Sequence, residues 1–154
     1  MVTLDRILPP DRVRCDVPAA SRKRTLQVLG EIFADADPAL TGQSVFDLLV
    51  ARERLGSTGL GEGCALPHAR VPGLGRTLAA FLRLGRGVDF DAPDHRPVDL
   101  VFGLLVPEES TEEHLEILSS IARVFADDHV RSSIRSAKEP AHMRQILVAR
   151  DILT

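Results

Sequence analysis

One histidine of this chain, His68, follows a glycine-rich run, Gly59-Leu60-Gly61-Glu62-Gly63, and a proline-fixed approach, Cys64-Ala65-Leu66-Pro67. Glycine takes backbone angles closed to other residues and proline sets its own φ, so together they present the imidazole in one place at a surface. A presented imidazole can ligate a metal, act as a general base or be covalently modified as a nucleophile, and its neighbours decide among these. His114 is the second candidate. The pattern Ser110-Thr111-Glu112-Glu113 has the Ser-x-x-Glu form of a capping box, which puts His114 near a helix start, where the dipole favours an anion and a neutral ring. Glu112 and Glu113 offset part of that attraction. Arg52 and Arg54 end an earlier helix, a favourable place for cations whatever else they do. If His68, His114 and Arg52 meet, a nucleophilic nitrogen, a neutral donor and a guanidinium surround a group with three negative oxygens, which suits a phosphoryl group.

Periodicity predicts the elements that must position these side chains. Leu26, Leu29, Ile32 and Phe33 recur at helical steps, giving a helix over Ser21–Ala36 with Ser21 as N-cap. A second helix runs over Gly42–Leu55, with Gly56 placed to end it in a left-handed conformation. The short apolar runs at 77–84 and 98–106, bounded by Gly, Pro and Asp, read as buried strands. A helix follows Ser110, with Leu115, Leu118, Ile121, Ala122 and Phe125 on one face, and further helices span about 127–136 and 140–150. Helices alternating with apolar strands predict an α/β fold, one sheet covered on both faces, in a single domain over residues 1–154.

Composition removes several function classes. No apolar run approaches the roughly 18 residues that a membrane span needs, and residues 1–6 lack the apolar region of a secretory signal, so a cytoplasmic protein is expected. A net charge of −3 without Trp or Tyr gives no reason to expect nucleic acid. Cys15 and Cys64 have no C-x-x-C spacing and read as small apolar fillers. The rival reading is a metallohydrolase built on His68, His114 and Cys64 or His95, but no H-E-x-x-H or comparable ligand cluster supports it. The glycine run lacks G-x-G-x-x-G spacing and is no nucleotide fingerprint.

Three separated stretches carry a family resemblance: Arg52-Glu53-Arg54-Leu55-Gly56-Ser57-Thr58-Gly59-Leu60-Gly61-Glu62-Gly63, then Ala65-Leu66-Pro67-His68, then His114-Leu115 with Ile117-Leu118. On these the chain resembles the IIA domains of the bacterial phosphotransferase system, of the mannitol/fructose/nitrogen-regulatory type. The opening residues Leu4, Ile7-Leu8-Pro9, Val13, Asp16-Val17 and Ser21-Arg22-Lys23-Arg24 are similar to the start of the nitrogen-regulatory branch. The resemblance implies a mixed central sheet and a phosphoryl-transfer component with no metal or cofactor. His68 is then the phosphoacceptor, on Nε2, with an HPr-type phosphohistidine protein as donor. His114 matches the second active-site histidine and Arg52 the upstream arginine, while Arg54, Ser57, Thr58 and Arg70 fall where phosphate or partner contacts are expected. The chain departs from the family at Ala69-Arg70, where Gly and a Lys-like residue are common, at Cys64, where a small aliphatic residue is usual, and at His95. A regulatory IIA protein that switches a target by its phosphorylation state is one outcome. A sugar-specific IIA that passes phosphate to a IIB domain is the other. An apolar rim of Leu60, Leu66, Val71 and Leu74 would let the unphosphorylated form dock a partner that added charge repels.

Overall fold

The two long apolar runs become the middle of a six-stranded mixed sheet in the computed structural model, which describes residues 3–109 and 111–150. The order along the chain is α1 (Leu4–Ile7), a 3-10 turn (Pro10–Arg12), β1 (Val13–Val17), α2 (Arg22–Ala36), α3 (Gly42–Leu55), β2 (Gly59–Gly61), β3 (Cys64–Ala65) and β4 (His68–Val71). Then come β5 (Leu78–Val88), β6 (Val98–Pro107), α4 (Thr111–Phe125), α5 (Asp128–Ser136) and α6 (Pro140–Val148). The sheet runs β1-β5-β6-β3-β2, and β4 pairs with β6 on the edge it shares with β3. The β5–β6 ladder is antiparallel, whereas β1 on β5 and both β3 and β4 on β6 are parallel. No helix among the described residues is long and apolar enough to cross a membrane.

Side chains of a strand point alternately to opposite faces, so an uninterrupted apolar strand must be covered twice. Ala80, Leu82, Leu84, Val101 and Leu105 face a core built with Leu26, Leu29, Ile32 and Phe33 of α2 and Val45 and Leu49 of α3. Ala79, Phe81, Leu100, Phe102, Leu104 and Val106 face a second core formed with α1, α4, α5 and α6. Gly103 lets α2 sit close on the sheet, since a Cβ there would lie 2.9 Å from Leu29 Cδ2. The α/β class and both covered faces agree with expectation.

The helix boundaries also agree, for local reasons. Ser21 Oγ accepts from Arg24 N, and Thr41 and Ser44 form a reciprocal capping box that starts α3. Asp127 caps α5 through the amides of His129 and Val130. Ser110, the predicted cap, lies outside the described residues; α4 begins at Thr111. Gly56 ends α3 differently from expectation. Its angles, φ 155° and ψ 146°, lie in the almost fully extended region at positive φ that is essentially glycine's alone, so the chain leaves α3 extended rather than coiled left-handed. The glycine-rich run is not merely a turn. It is a small antiparallel hairpin of β2 and β3, and β4 and β1 are further strands that periodicity did not reveal.

Candidate functional site

His68 stands where a strand is interrupted and resumes. Cys64 and Ala65 pair with Leu100 and Val101 of β6, and His68 rejoins the same edge opposite Leu104. Between them Pro67 has no N–H to give the ladder, its carbonyl accepts from Leu104 N, and Leu66 N turns away to Thr58 O. The Leu66 carbonyl takes the imidazole instead: His68 Nδ1–H donates to it at 2.7 Å. With the proton on Nδ1, Nε2 is left with its lone pair. Arg52, from the last turn of α3, donates Nε–H to that nitrogen at 3.3 Å and is tethered through Nη1 to Gly56 O at 2.8 Å. Burial lowers the His68 pKa, with Arg52 and Arg70 acting in the same direction and the Leu66 bond against them. The ring is therefore neutral at pH 7.

His114 comes from the first turn of α4 and is buried, 5% exposed. Its ring centre lies 5.4 Å from that of His68, with the planes at 67°. Arg70, two residues beyond His68 and so on the same side of β4, donates Nε–H to His114 Nδ1 at 3.2 Å. Burial first, then the charges of His68, Arg70 and Arg52, push the His114 pKa down to about 4. Two neutral imidazoles and two guanidiniums thus occupy one side of the sheet edge.

Ser57 and Thr58 form the wall beside them, and their hydroxyls are already engaged. Ser57 Oγ donates to Phe90 O and accepts from Gly59 N. Thr58 donates both its hydroxyl and its amide to the buried Glu53 carboxylate, which Arg22 Nη1 approaches at 3.4 Å. Glu53 was missed in the sequence, although a carboxylate in the last turn of a helix opposes the dipole and so signals a tertiary partner. Arg54 does not join the group. It opens on a different groove, between α2 and α3, with Arg22, Lys23 and Phe46. Successive odd or even positions on a helix lie about 200° apart at 3.6 residues per turn, so only one of Arg52 and Arg54 can face His68.

Arg52, Thr58, Leu60, His68 and Leu118 line a cleft of about 300 Å³. The expected apolar rim needs correction, because Val71 and Leu74 are buried in the first core, and Leu66, though it lines the cleft, is buried in the second. Leu60 remains at the mouth, at 40% exposure, and α4 supplies Leu118, Ser119 and Ala122 to the lining. The hairpin before the cleft is pinned, since Arg135 donates to Glu62 O and to Asp99, and a Cβ on Gly63 would meet Arg135 Nη2 at 2.3 Å. Cys64 is buried and its thiol is pushed up to about 11, which leaves it unreactive as a thiolate. Among the described residues no three His, Cys, Asp or Glu side chains gather to hold a metal. His95, His129 and His142 are exposed, and none of them lines the cleft.

Residues 6–149 match the family model described as phosphoenolpyruvate-dependent sugar phosphotransferase system, EIIA 2. The chain is 47% identical over 148 residues to the nitrogen regulatory protein of Pseudomonas aeruginosa, covering 96% of each. It is 31% identical to the fructose-specific EIIA component of Haloferax volcanii, over 94% of each. The crystal structure of the nitrogen regulatory protein IIA-Ntr from Neisseria meningitidis superposes with a TM-score of 0.89 at 41% identity, covering 94% of this chain and 98% of that one. Mannitol IIA from Escherichia coli, at 21% identity and a TM-score of 0.71 over 88% of this chain and 96% of that one, shares the fold. With nearly the whole chain matched, and a mixed sheet covered on both faces, this protein belongs to the EIIA type 2 family of the phosphoenolpyruvate-dependent phosphotransferase system.

Proposed function

We propose that this chain is a regulatory IIA phosphocarrier that accepts a phosphoryl group on His68 Nε2 from the phosphohistidine of an HPr-type protein. The observation that carries the reading is the tautomer, since Nδ1–H is committed to the Leu66 carbonyl and the lone pair on Nε2 is left to meet the Arg52 guanidinium in the cleft. The lone pair attacks phosphorus in line, the donor's N–P bond breaks, and its electron pair returns to the donor ring. His68 loses no proton, because the one it holds stays on Nδ1. Such a transition state is loose, so positioning and charge do most of the work. Arg52 shifts its N–H from Nε2 to an incoming oxygen while Gly56 O keeps its other end in place. His114, neutral and close to His68, donates to the same oxygens, and no metal is required.

The phosphorylated form carries roughly two additional negative charges beside Leu60 and Leu118. A partner that docks on those side chains is repelled, which makes phosphorylation state the signal. The higher identity to a protein named nitrogen regulatory, 47% against 31% for the fructose-specific relative, supports the regulatory form over one that feeds a IIB domain. We place the work in the cytoplasm, where such a donor resides. Incubation with labelled phosphoenolpyruvate and the general phosphotransferase proteins tests the site: the wild type acquires acid-labile phosphate and His68→Ala acquires none. Normal labelling of His68→Ala rejects it.

A further inference from the structure

His114 has one nitrogen committed and one waiting. Nδ1 accepts from Arg70, whereas Nε2 is buried and has no partner among the described residues. A guanidinium offers only donors, so Nδ1 must present its lone pair, and the single proton of the neutral ring then sits on Nε2. We propose that Arg70 is a positioning residue that selects the Nε2–H tautomer of His114 and thereby supplies the transfer step with a donor prepared before the phosphoryl group arrives. The proposal rests on the reading of His68 as phosphoacceptor.

The opposite tautomer fails on both sides. A proton on Nδ1 would face the Arg70 N–H, donor against donor, and a lone pair on Nε2 would face phosphoryl oxygens. A buried donor without an acceptor is costly in the resting protein, and an incoming anionic oxygen removes that cost. The strand supplies the geometry: His68 and Arg70 are two apart on β4 and share a face, Ala69 between them is buried on the other, and α4 brings His114 over that face. Arg70 therefore acts through His114, with its Nε already spent on the ring.

Long-range 1H–15N spectra of the unphosphorylated protein read the tautomer, and single-turnover transfer from the phosphorylated donor reads the consequence. Wild type shows His114 with the proton on Nε2. In Arg70→Met, which keeps the bulk and loses the donor, the proton redistributes towards Nδ1 and transfer slows by about tenfold. Arg70→Lys, again a donor-only side chain, restores both. Arg70→Gln is uncharged, yet its amide nitrogen lies as many bonds from Cα as arginine Nε, and its rate should follow whatever Nε2–H fraction it shows. An Arg70→Met protein that keeps Nε2–H overturns the proposal, as does a redistributed proton with an unchanged rate. So does a Gln variant that retains Nε2–H but is as slow as Met, since charge would then be acting directly. A wild-type chain that takes up no phosphate rejects the reading of His68, whereas the spectra need no phosphate and still decide whether Arg70 sets the tautomer.

Discussion

His68 and His114 are neighbours, 5.4 Å between ring centres, yet they are held by opposite means. His68 is oriented by its own backbone, through a carbonyl two residues back that an interrupted strand leaves available. His114 is oriented by another residue's side chain and keeps a buried nitrogen unmet. A backbone acceptor survives any substitution that preserves the chain path, whereas a side-chain donor is lost by one codon change. On the proposed function, the group that forms the covalent bond has the sturdier support, and the group that only assists depends on a replaceable one.

Four measurements can break or sharpen that contrast. The largest effect is expected for His114→Ala, which removes a transition-state donor and should slow transfer about 100-fold in single-turnover kinetics with little change in donor affinity. Equal losses in rate and affinity would make His114 a docking residue instead. Next, Leu66→Ala opens a cavity in the second core and should cost about 2–4 kcal/mol in urea unfolding. The proton of His68 should nevertheless stay on Nδ1 in 15N spectra, because the acceptor is the backbone oxygen; its loss would end the contrast.

A smaller effect concerns acidity. Both rings have depressed pKa values, so below pH 6.5 the unfolded chain binds protons that the folded chain refuses. Stability from this source is complete above pH 6.5 and declines as pH falls towards about 4, the folded value of His114. Thermal melts across that window should show a shallower decline for His114→Gln than for wild type, and an identical decline would deny His114 its share. The smallest effect is expected for Arg54→Ala. Facing the α2–α3 groove, it should leave the labelling rate unchanged, and a slowed rate would show that the groove reaches the site.

The sequence already displayed the long elements, because each carries a repeated signal. The apolar period of α2, the residues that cap α2, α3 and α5, and the apolar runs within β5 and β6 all show in the order of residues. The strands β1 to β4 are two to five residues long and owe their conformation to the partner they pair with, so no local period announces them. The site divides the same way. His68, His114 and Arg52 stood out by residue type and position, and the family resemblance joined them into one site; the structure brings them together. The link from Arg70 to His114, and the buried Glu53 under Thr58, depend on where α4 crosses β4 and where the chain turns after α3, which are tertiary facts. Arg54 was separable from Arg52 by helical angle alone, had one arginine been assigned to the site first.

The parallel pairing of β4 with β6 also sets a time at which the site can exist. His68 is made well before Leu104, its partner across the ladder, and before His114. A nascent chain that has emerged only as far as β5 carries the acceptor ring and Arg52, but it has no strand to hold His68 at the sheet edge and no second ring beside it. Non-local pairings of this kind close late in folding. On the proposed function, readiness for phosphate therefore marks a chain that has been synthesised through α4 and folded, and unfinished copies stay outside the relay.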